Sequence, residues 1–274
     1  TLGGAVVIGS QKPTYYFEGY VEGTYGRFDY REVQGAVNIP IIEDKVAFRA
    51  AGQIRRQDPR TVAFDGGPGF DDVHQDAFRL SLLLEPFEGF KSTTVYEYFK
   101  ADELAGGLYL LRQNYPFAAL GLGVVDPQVA AALETQRANR RGSFDGGIDG
   151  GLSYRKTTAI TNDTSYTFGA LTLRNIFGYR KNYSDQLINS GGLPLLQIPT
   201  GLADPATVPF TLFNASSALD RQYLTNETQL LGEFSGFNFI VGVFYNNDKP
   251  DGPSGSQFTA FSVGSVPAPA VTAH

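Results

Sequence analysis

The sequence predicts an all-β protein, an antiparallel transmembrane β-barrel of up-and-down connectivity, of which this chain forms a part. Two features lead to this prediction. Apolar and polar residues alternate with a period of two over stretches of about ten residues, as in strands that bury one face. The connections between these stretches are short and long in turn, which is typical of a barrel with short periplasmic turns and long extracellular loops.

The alternation is most regular in three segments. From Lys45 to Ile54, one face of the expected strand is apolar or small and the other is mostly small or polar, and Asp76–Glu85 and Phe237–Tyr245 repeat the pattern. About nine strands are expected in chain order, at 15–26, 28–40, 44–57, 74–86, 90–102, 149–164, 169–184, 221–234 and 236–248.

The connections between these strands differ in length. Tight turns are expected at Ile41–Asp44, at Pro86–Gly89, around Ser165–Phe168 and at Ser235–Gly236, and long loops at 58–73, 103–148, 185–220 and from 249 onward. A soluble β-sandwich would not need a long loop at every second connection, because loops above about 15 residues are uncommon in compact domains. One short helix is expected in the loop 103–148, from Asp126-Pro127 to about Arg137, since Asp followed by Pro is a helix start signal.

The composition suits aromatic strands separated by glycine-rich loops. The chain has 32 Gly, 21 Phe and 15 Tyr but no Cys, so a disulfide framework, a thiolate metal site and a cysteine nucleophile are excluded. The formal net charge is −6 and no run of Lys or Arg occurs, so nucleic acid is not an expected partner. No stretch supplies the roughly 20 apolar residues of a helical membrane span.

The sequence carries no motif of an enzyme active site. It lacks a Gly-x-Ser-x-Gly elbow, a Gly-x-x-x-x-Gly-Lys phosphate loop and a His-Glu-x-x-His helix. His74 lies beside Asp71, Asp72 and Asp76, but one histidine lacks the spaced ligand set of a zinc site, so an exposed loop histidine is the preferred interpretation. We expect no catalytic residue, no metal and no cofactor.

What remains is a binding surface in the loop 103–148. Aromatic rings offer stacking faces and guanidinium groups donate to anions. The candidate substrate-binding residues are therefore Tyr109, Arg112, Tyr115, Phe117, Arg137 and Arg141, with Arg140 beside them. The alternative is that these side chains pack the loop above the barrel. Residues expected to face the lumen from the strands are Arg49, Gln53, Arg79, Glu97 and Glu227.

Short segments, in order along the chain, resemble the TonB-dependent outer-membrane receptor family. Gly3–Val6 followed by Gln11–Thr14 is similar to the end of the family's plug domain, and Phe17–Gly26 to its first barrel strand. Leu171–Arg180 and Ile240–Tyr245 are similar to later strands. The resemblance implies residues 1–14 as the end of the plug and 15–274 as the N-terminal part of the barrel, in the bacterial outer membrane.

The resemblance also implies a function and partners. Loops would capture a scarce ligand of the siderophore, cobalamin or oligosaccharide class, and the TonB energy-coupling complex would displace the plug. The other partners would be outer-membrane lipid, the protein's own plug and its remaining barrel strands. The sequence departs from the family in lacking a TonB box, most of the plug and most of about 22 strands, so we expect a fragment.

Two other classes of function stay open at this point. A passive pore, or a surface barrel with a structural or adhesive role, would have no plug and no energy coupling. A soluble β-rich binding module or enzyme would remain in solution without detergent.

Overall fold

The computed structural model describes residues 10–114, 116–201, 204–252 and 254–263. Its one α-helix in those ranges is α1 (Asp126–Ala138), preceded by two 3₁₀ turns, Phe117–Leu120 and Gly123–Val125. The strands are β1 (Glu18–Gly26), β2 (Tyr30–Ile42), β3 (Val46–Gln57), β4 (Val62–Ala63), β5 (Val73–Leu84), β6 (Phe90–Glu103), β7 (Gly142–Ser143), β8 (Leu152–Phe168), β9 (Leu171–Asn189), β10 (Leu196–Gly201), β11 (Asp204–Phe234), β12 (Phe237–Pro250) and β13 (Gly255–Val263).

The long strands form a single antiparallel sheet in the order β1-β2-β3-β5-β6-β8-β9-β11. Each pairs with the next long strand along the chain, so the connectivity is up and down. On one edge of β11 lie β9 and β10, and on the other lie β12 and β13. A separate parallel pair, β4 with β7, ties two of the long connections together. The predicted all-β fold, part of an antiparallel barrel, is confirmed.

The short turns at one end of the sheet each contain a residue with positive φ. These residues are Asp44, Gly89, Gly169 and Gly236. Glycine reaches this region without a steric penalty and Asp tolerates it, which is why such residues close tight hairpins. At Gly89 a Cβ would also lie 2.3 Å from the carbonyl oxygen of Thr167, so glycine is required there for space as well.

The cross-strand register separates two faces of the sheet. Gln34, Gln53, Ala77 and Phe99 lie opposite one another on four successive strands, and every second residue on each strand shares their side. A cavity of about 470 Å³ on this side is lined from Tyr20 on β1 to Arg180 on β9. The sheet therefore curves, and we call this side the inward face.

The opposite, outward face carries most of the apolar residues. Exposed side chains there include Val33, Ile54, Phe78, Leu80 and Val243. In a soluble protein such a face would be covered. Its exposure on one side of a curved antiparallel sheet matches the apolar band of a barrel wall that contacts lipid.

A polar island interrupts the outward face on the middle strands. The hydroxyls of Ser92 and Thr164 are hydrogen-bonded at 2.7 Å, and Asn162 donates to Ser92 at 3.1 Å and to Thr94 at 2.8 Å. Because these groups satisfy one another, their cost in an apolar medium is reduced.

At the end with long connections, the chain builds a small hydrophobic core. Val129 and Ala132 of α1 pack with Leu196 of β10 and with Phe210 and Leu212 of β11, all of them buried. Two glutamines fix the helix in place. Gln136 donates to the carbonyl oxygen of Gly192 at 2.9 Å and accepts from the amide of Leu110 at 2.7 Å, and Gln128 exchanges two hydrogen bonds with the backbone of Gln197.

The prediction of a long loop over 185–220 is wrong. β9 continues to Asn189, and a hairpin of β10 and β11 fills most of the rest. Prolines such as Pro199 and Pro209 made this segment resemble a loop. Both lie where β10 and β11 have only each other as partners among the described strands, so the missing N–H groups cost little there.

Of three smaller predictions, two need correction and one is confirmed. β8 continues to Phe168, so the turn lies at Gly169–Ala170 and not at Ser165–Phe168. The region after 249 is not all loop, because β13 pairs with β11. The predicted helix is confirmed as α1. No helix within the described ranges has the length and apolar content needed to cross a membrane.

Candidate functional site

Polar side chains from successive strands cover the inward face. Gln53 on β3 donates to Glu32 at 2.6 Å and to Gln34 at 3.3 Å, both on β2, and Gln34 donates to Glu22 on β1 at 2.9 Å. Each pair lies on directly opposite or diagonal positions of adjacent strands, where side chains are within reach of one another. The result is a hydrogen-bonded polar row that crosses three strands.

Ion pairs continue this polar surface on the following strands. Arg79 on β5 donates through Nε to Glu97 on β6 at 2.7 Å. Arg174 on β9 contacts Asp163 on β8 through two nitrogens at 2.9 and 2.7 Å. Both pairs are partly exposed, so each contributes at most about 1 kcal/mol to stability. Within each pair the opposite charges cancel, and both pairs keep the inner wall polar.

The residues predicted to face the lumen do share the inward face. Arg49, Gln53, Arg79 and Glu97 lie on it through the pairing of β2 with β3 and β5 with β6, and Glu227, held by Gln229 at 2.6 Å, lies on it through β9 and β11. This prediction is confirmed.

The segment before β1 runs along the inward face near the short-turn end. Arg49 donates to the side chain of Gln11 at 3.1 Å. The side chain of Asn38, fully buried, binds the backbone of Thr14 and Tyr16. Sequence reasoning missed Asn38. The one signal in the sequence was a polar amide within an expected strand, and the sequence did not show which group it would bind.

The hydroxyl of Tyr15 donates to Glu85 in the turn between β5 and β6. Burial, together with this hydrogen bond and the negative charge of Glu85, raises the pKa of Tyr15 above its usual range. Burial also raises the pKa of Glu85, but donors from Lys91 and Tyr15 outweigh it and lower the pKa overall. Glu85 therefore stays ionised and holds Tyr15 against the wall.

The loop residues predicted to bind substrate have separate surroundings. Tyr109 is 41% exposed and its hydroxyl lies 3.4 Å from that of Thr61. Arg112 and Arg137 are exposed, and Arg141 places its guanidinium 5.1 Å from the centre of the Phe28 ring. Tyr115 lies outside the described residues. No hydrogen bond, ion pair or ring contact joins two of these residues within the described ranges, and their role in binding stays a prediction.

Phe117 behaves differently from the others in this set. Its ring packs against the hydrophobic core beside α1, and its amide donates to Asp126 at 2.7 Å. Burial raises the pKa of Asp126, but hydrogen bonds from Phe117, Gln113 and Ala118 outweigh it and lower the pKa overall. For Phe117 the contacts are those of loop packing, the alternative that the sequence left open.

Two carboxylates meet where β4 and β7 join the long connections. Asp65 accepts the amide of Asp145 at 3.0 Å, and Asp145 accepts the amide of Gly147 at 2.6 Å. Burial and the negative charge of Asp145 raise the pKa of Asp65. The glycine-rich segments 65–69 and 146–151 are thus hydrogen-bonded to each other.

The described residues contain no group of three or more His, Cys, Asp or Glu side chains placed to hold a metal ion. His74 lies on the outward face directly opposite Arg56. What the inward face offers chemically is a curved wall of paired charges, amides and hydroxyls. Such a surface binds polar groups and admits water.

Comparison with known proteins supports the class of fold. No family model matches the sequence. Among solved structures, the chain is similar to the ferric yersiniabactin uptake receptor FyuA from Yersinia pestis, with a TM-score of 0.50 and 12% sequence identity over 88% of this chain and 44% of that chain. This chain thus spans less than half of that receptor. At this level of identity the likeness shows the fold, a partial antiparallel β-barrel.

Proposed function

We propose that the chain is the N-terminal part of the barrel of a TonB-dependent outer-membrane receptor, with residues 1–14 as the end of its plug domain. The observation that carries the proposal is the course of the segment Gln11–Tyr16, which follows the inward face and is hydrogen-bonded to it. A plug that fills a barrel has to join it along the inner wall. The apolar outward face supports a position in the outer membrane.

The proposed activity is ligand-gated uptake of a scarce nutrient and not catalysis. The long connections would bind the ligand outside, the plug would block the lumen, and the TonB energy-coupling complex would displace it. The ligand would be a siderophore, a cobalamin or an oligosaccharide. The similar structure is an uptake receptor for ferric yersiniabactin, which favours the siderophore class.

For the ligand contacts we propose the predicted residues that remain exposed on the long connection. These are Tyr109, Arg112, Arg137 and Arg141. A charge-assisted hydrogen bond contributes about 1.5–3 kcal/mol, so Arg112→Ala should weaken ligand binding by roughly ten- to hundredfold. The control is Lys45→Ala, which removes an exposed cation from the short turn between β2 and β3, at the opposite end of the sheet.

The test uses the full-length protein in cells with and without functional TonB. Uptake is followed with radiolabelled ferric siderophores, labelled cobalamin and labelled oligosaccharides. We expect one of these to accumulate only when both the protein and TonB are present. Accumulation that does not depend on TonB would indicate a passive pore, and recovery of the protein from the soluble fraction would exclude a barrel in the membrane.

A further inference from the structure

The side chain of Asn38 on β2 makes hydrogen bonds to the backbone of the segment before β1, as a neighbouring strand would do. Its Oδ1 accepts the amide of Thr14 at 2.9 Å, and its Nδ2 donates to the carbonyl oxygens of Thr14 at 2.7 Å and Tyr16 at 2.6 Å. A side-chain amide supplies one acceptor and two donors, and all three functions are used here. Asn38 is fully buried, with no measurable exposed area.

Contacts on either side extend this attachment. Tyr15, between the two bonded residues, contacts Glu85, and Glu85 also binds Lys91 at 2.7 Å. Arg49, directly opposite Asn38 on β3, holds Gln11 and lies 3.6 Å from Glu18 at the start of β1. We call Asn38, Arg49 and Glu85 together the clasp. It joins one short segment to β2, β3 and the β5–β6 turn.

The clasp lies where the segment would otherwise have unpaired backbone groups. Residues 10–17 are not in a strand, so their amides and carbonyls need partners from side chains or water. Three bonds made by a single buried side chain must all break before Thr14 and Tyr16 can leave the wall. The backbone of Asn38 is held on both sides, because β2 is paired on both edges at this position, with Glu18 and with Arg49.

We infer that Asn38 is the fixed point that keeps the N-terminal segment on the barrel wall when a pull acts on the residues before it. The inference rests on the proposed function, in which energy coupling pulls on the plug. Residues before the clasp would be free to move under load, while Thr14, Tyr16 and all that follow would stay in place. Asn38 is therefore a positioning residue and does not contact the ligand.

The test applies force to the N-terminus of the full-length protein in a lipid membrane. For the wild type we expect a separate rupture before β1 unzips, with a step of at most about 14 Å for the four residues Thr14–Phe17. Asn38→Ala should remove this step. Asn38→Asp keeps the shape and the acceptor but loses both donors, so it should remove the step as well. Asn226→Ala, which removes an outward-facing amide bonded to Asn175, should leave it unchanged.

Hydrogen exchange of the same proteins provides a second measurement. In both Asn38 variants, peptides covering residues 10–17 should lose protection at least tenfold while the strands keep theirs, which also shows that the barrel has folded. An unchanged rupture step in Asn38→Ala and Asn38→Asp would overturn the inference. If the full-length protein shows no TonB-dependent uptake, the proposed function fails, whereas the rupture step at the clasp can still be measured.

Discussion

The two ends of the sheet are held together by different kinds of contact. At the short-turn end, strands that are neighbours in the sequence are joined by a few residues, and the pairing is local. At the other end, α1 and the hairpin of β10 and β11 form a core from segments more than 60 residues apart in the sequence, such as Val129 and Leu196. The difference shows that one chain can combine a wall specified by local alternation with a cap specified by distant contacts.

The largest expected effect comes from the core at the long-connection end. Phe210→Ala removes a buried ring and should cost about 3–5 kcal/mol in the free energy of unfolding of that end. Phe237→Ala at the short-turn end is the control, because its side chain is 60% exposed. Hydrogen exchange should show lost protection in α1 and β10 with the short turns unaffected. Equal loss at both ends would mean that the two regions are one cooperative unit.

The next effect distinguishes the two faces of the wall. Leu80→Arg puts a charge on the outward face and should destabilise the barrel in lipid by about 2–4 kcal/mol. Thr157→Arg places the same side chain beside the inward cavity and should cost clearly less. Both are measured by denaturant unfolding in lipid vesicles. A similar cost at the two positions would contradict the assignment of the faces.

A pH effect is expected at the contact between Asp65 and Asp145. The pKa of Asp65 is raised in the folded protein, so its contribution to stability is present at low pH and is lost as the pH rises through the raised value. The contact between the two connections should thus loosen as the pH increases from about 4, near the ordinary pKa of Asp. Hydrogen exchange at residues 62–67 measures it. Asp145→Asn removes the charge of Asp145 but leaves the burial of Asp65, the larger cause, so it should reduce the pH dependence without abolishing it. An unchanged profile would show that the charge of Asp145 does not contribute.

The smallest expected effect concerns the contact between the long connection after β6 and the short connection between β1 and β2. Arg141 lies over Phe28 in the connection between β1 and β2, and its carbonyl oxygen accepts the amide of Val62 at 2.9 Å. Arg141→Ala should cost about 0.5–1 kcal/mol of local stability, seen as faster hydrogen exchange at residues 27–29. The neighbouring Arg140→Ala is the control. If both variants behave alike, the ring contact contributes nothing.

The wall could be predicted from the sequence because its information is local. The alternation from Lys45 to Ile54 places β3 correctly, and the glycine of Ser235–Gly236 marks the turn between β11 and β12. The lumen-facing Arg79 and Glu97 follow from the same period of two. Each of these conclusions needs only residues a few positions apart.

The cap, formed by α1 with β10 and β11, and the clasp could not be predicted, because both depend on contacts between residues that are not neighbours in the sequence. Prolines at 199 and 209 argue against strands unless one knows that β10 and β11 have no third partner there among the described strands, and that depends on where β13 ends. Asn38 looks like any polar residue of a strand until the backbone of Thr14 is placed against it. The ligand surface predicted on the loop 103–148 stays a prediction. Its residues share aromatic or guanidinium side chains, but residue type alone does not determine which of them lie together in space.

The length of β11 has a consequence for reach. Its 31 residues, at about 3.3 Å each, would span at most roughly 100 Å, and Phe213, with a positive φ, interrupts the extended course. A tilted strand crosses the hydrocarbon layer in about 9–11 residues. In a membrane, most of this strand would therefore lie outside the hydrocarbon layer, and α1 packs against it near its N-terminal end. A molecule that approaches the protein from that side would contact the projecting part of β11 and the long connections well before it reached the lipid.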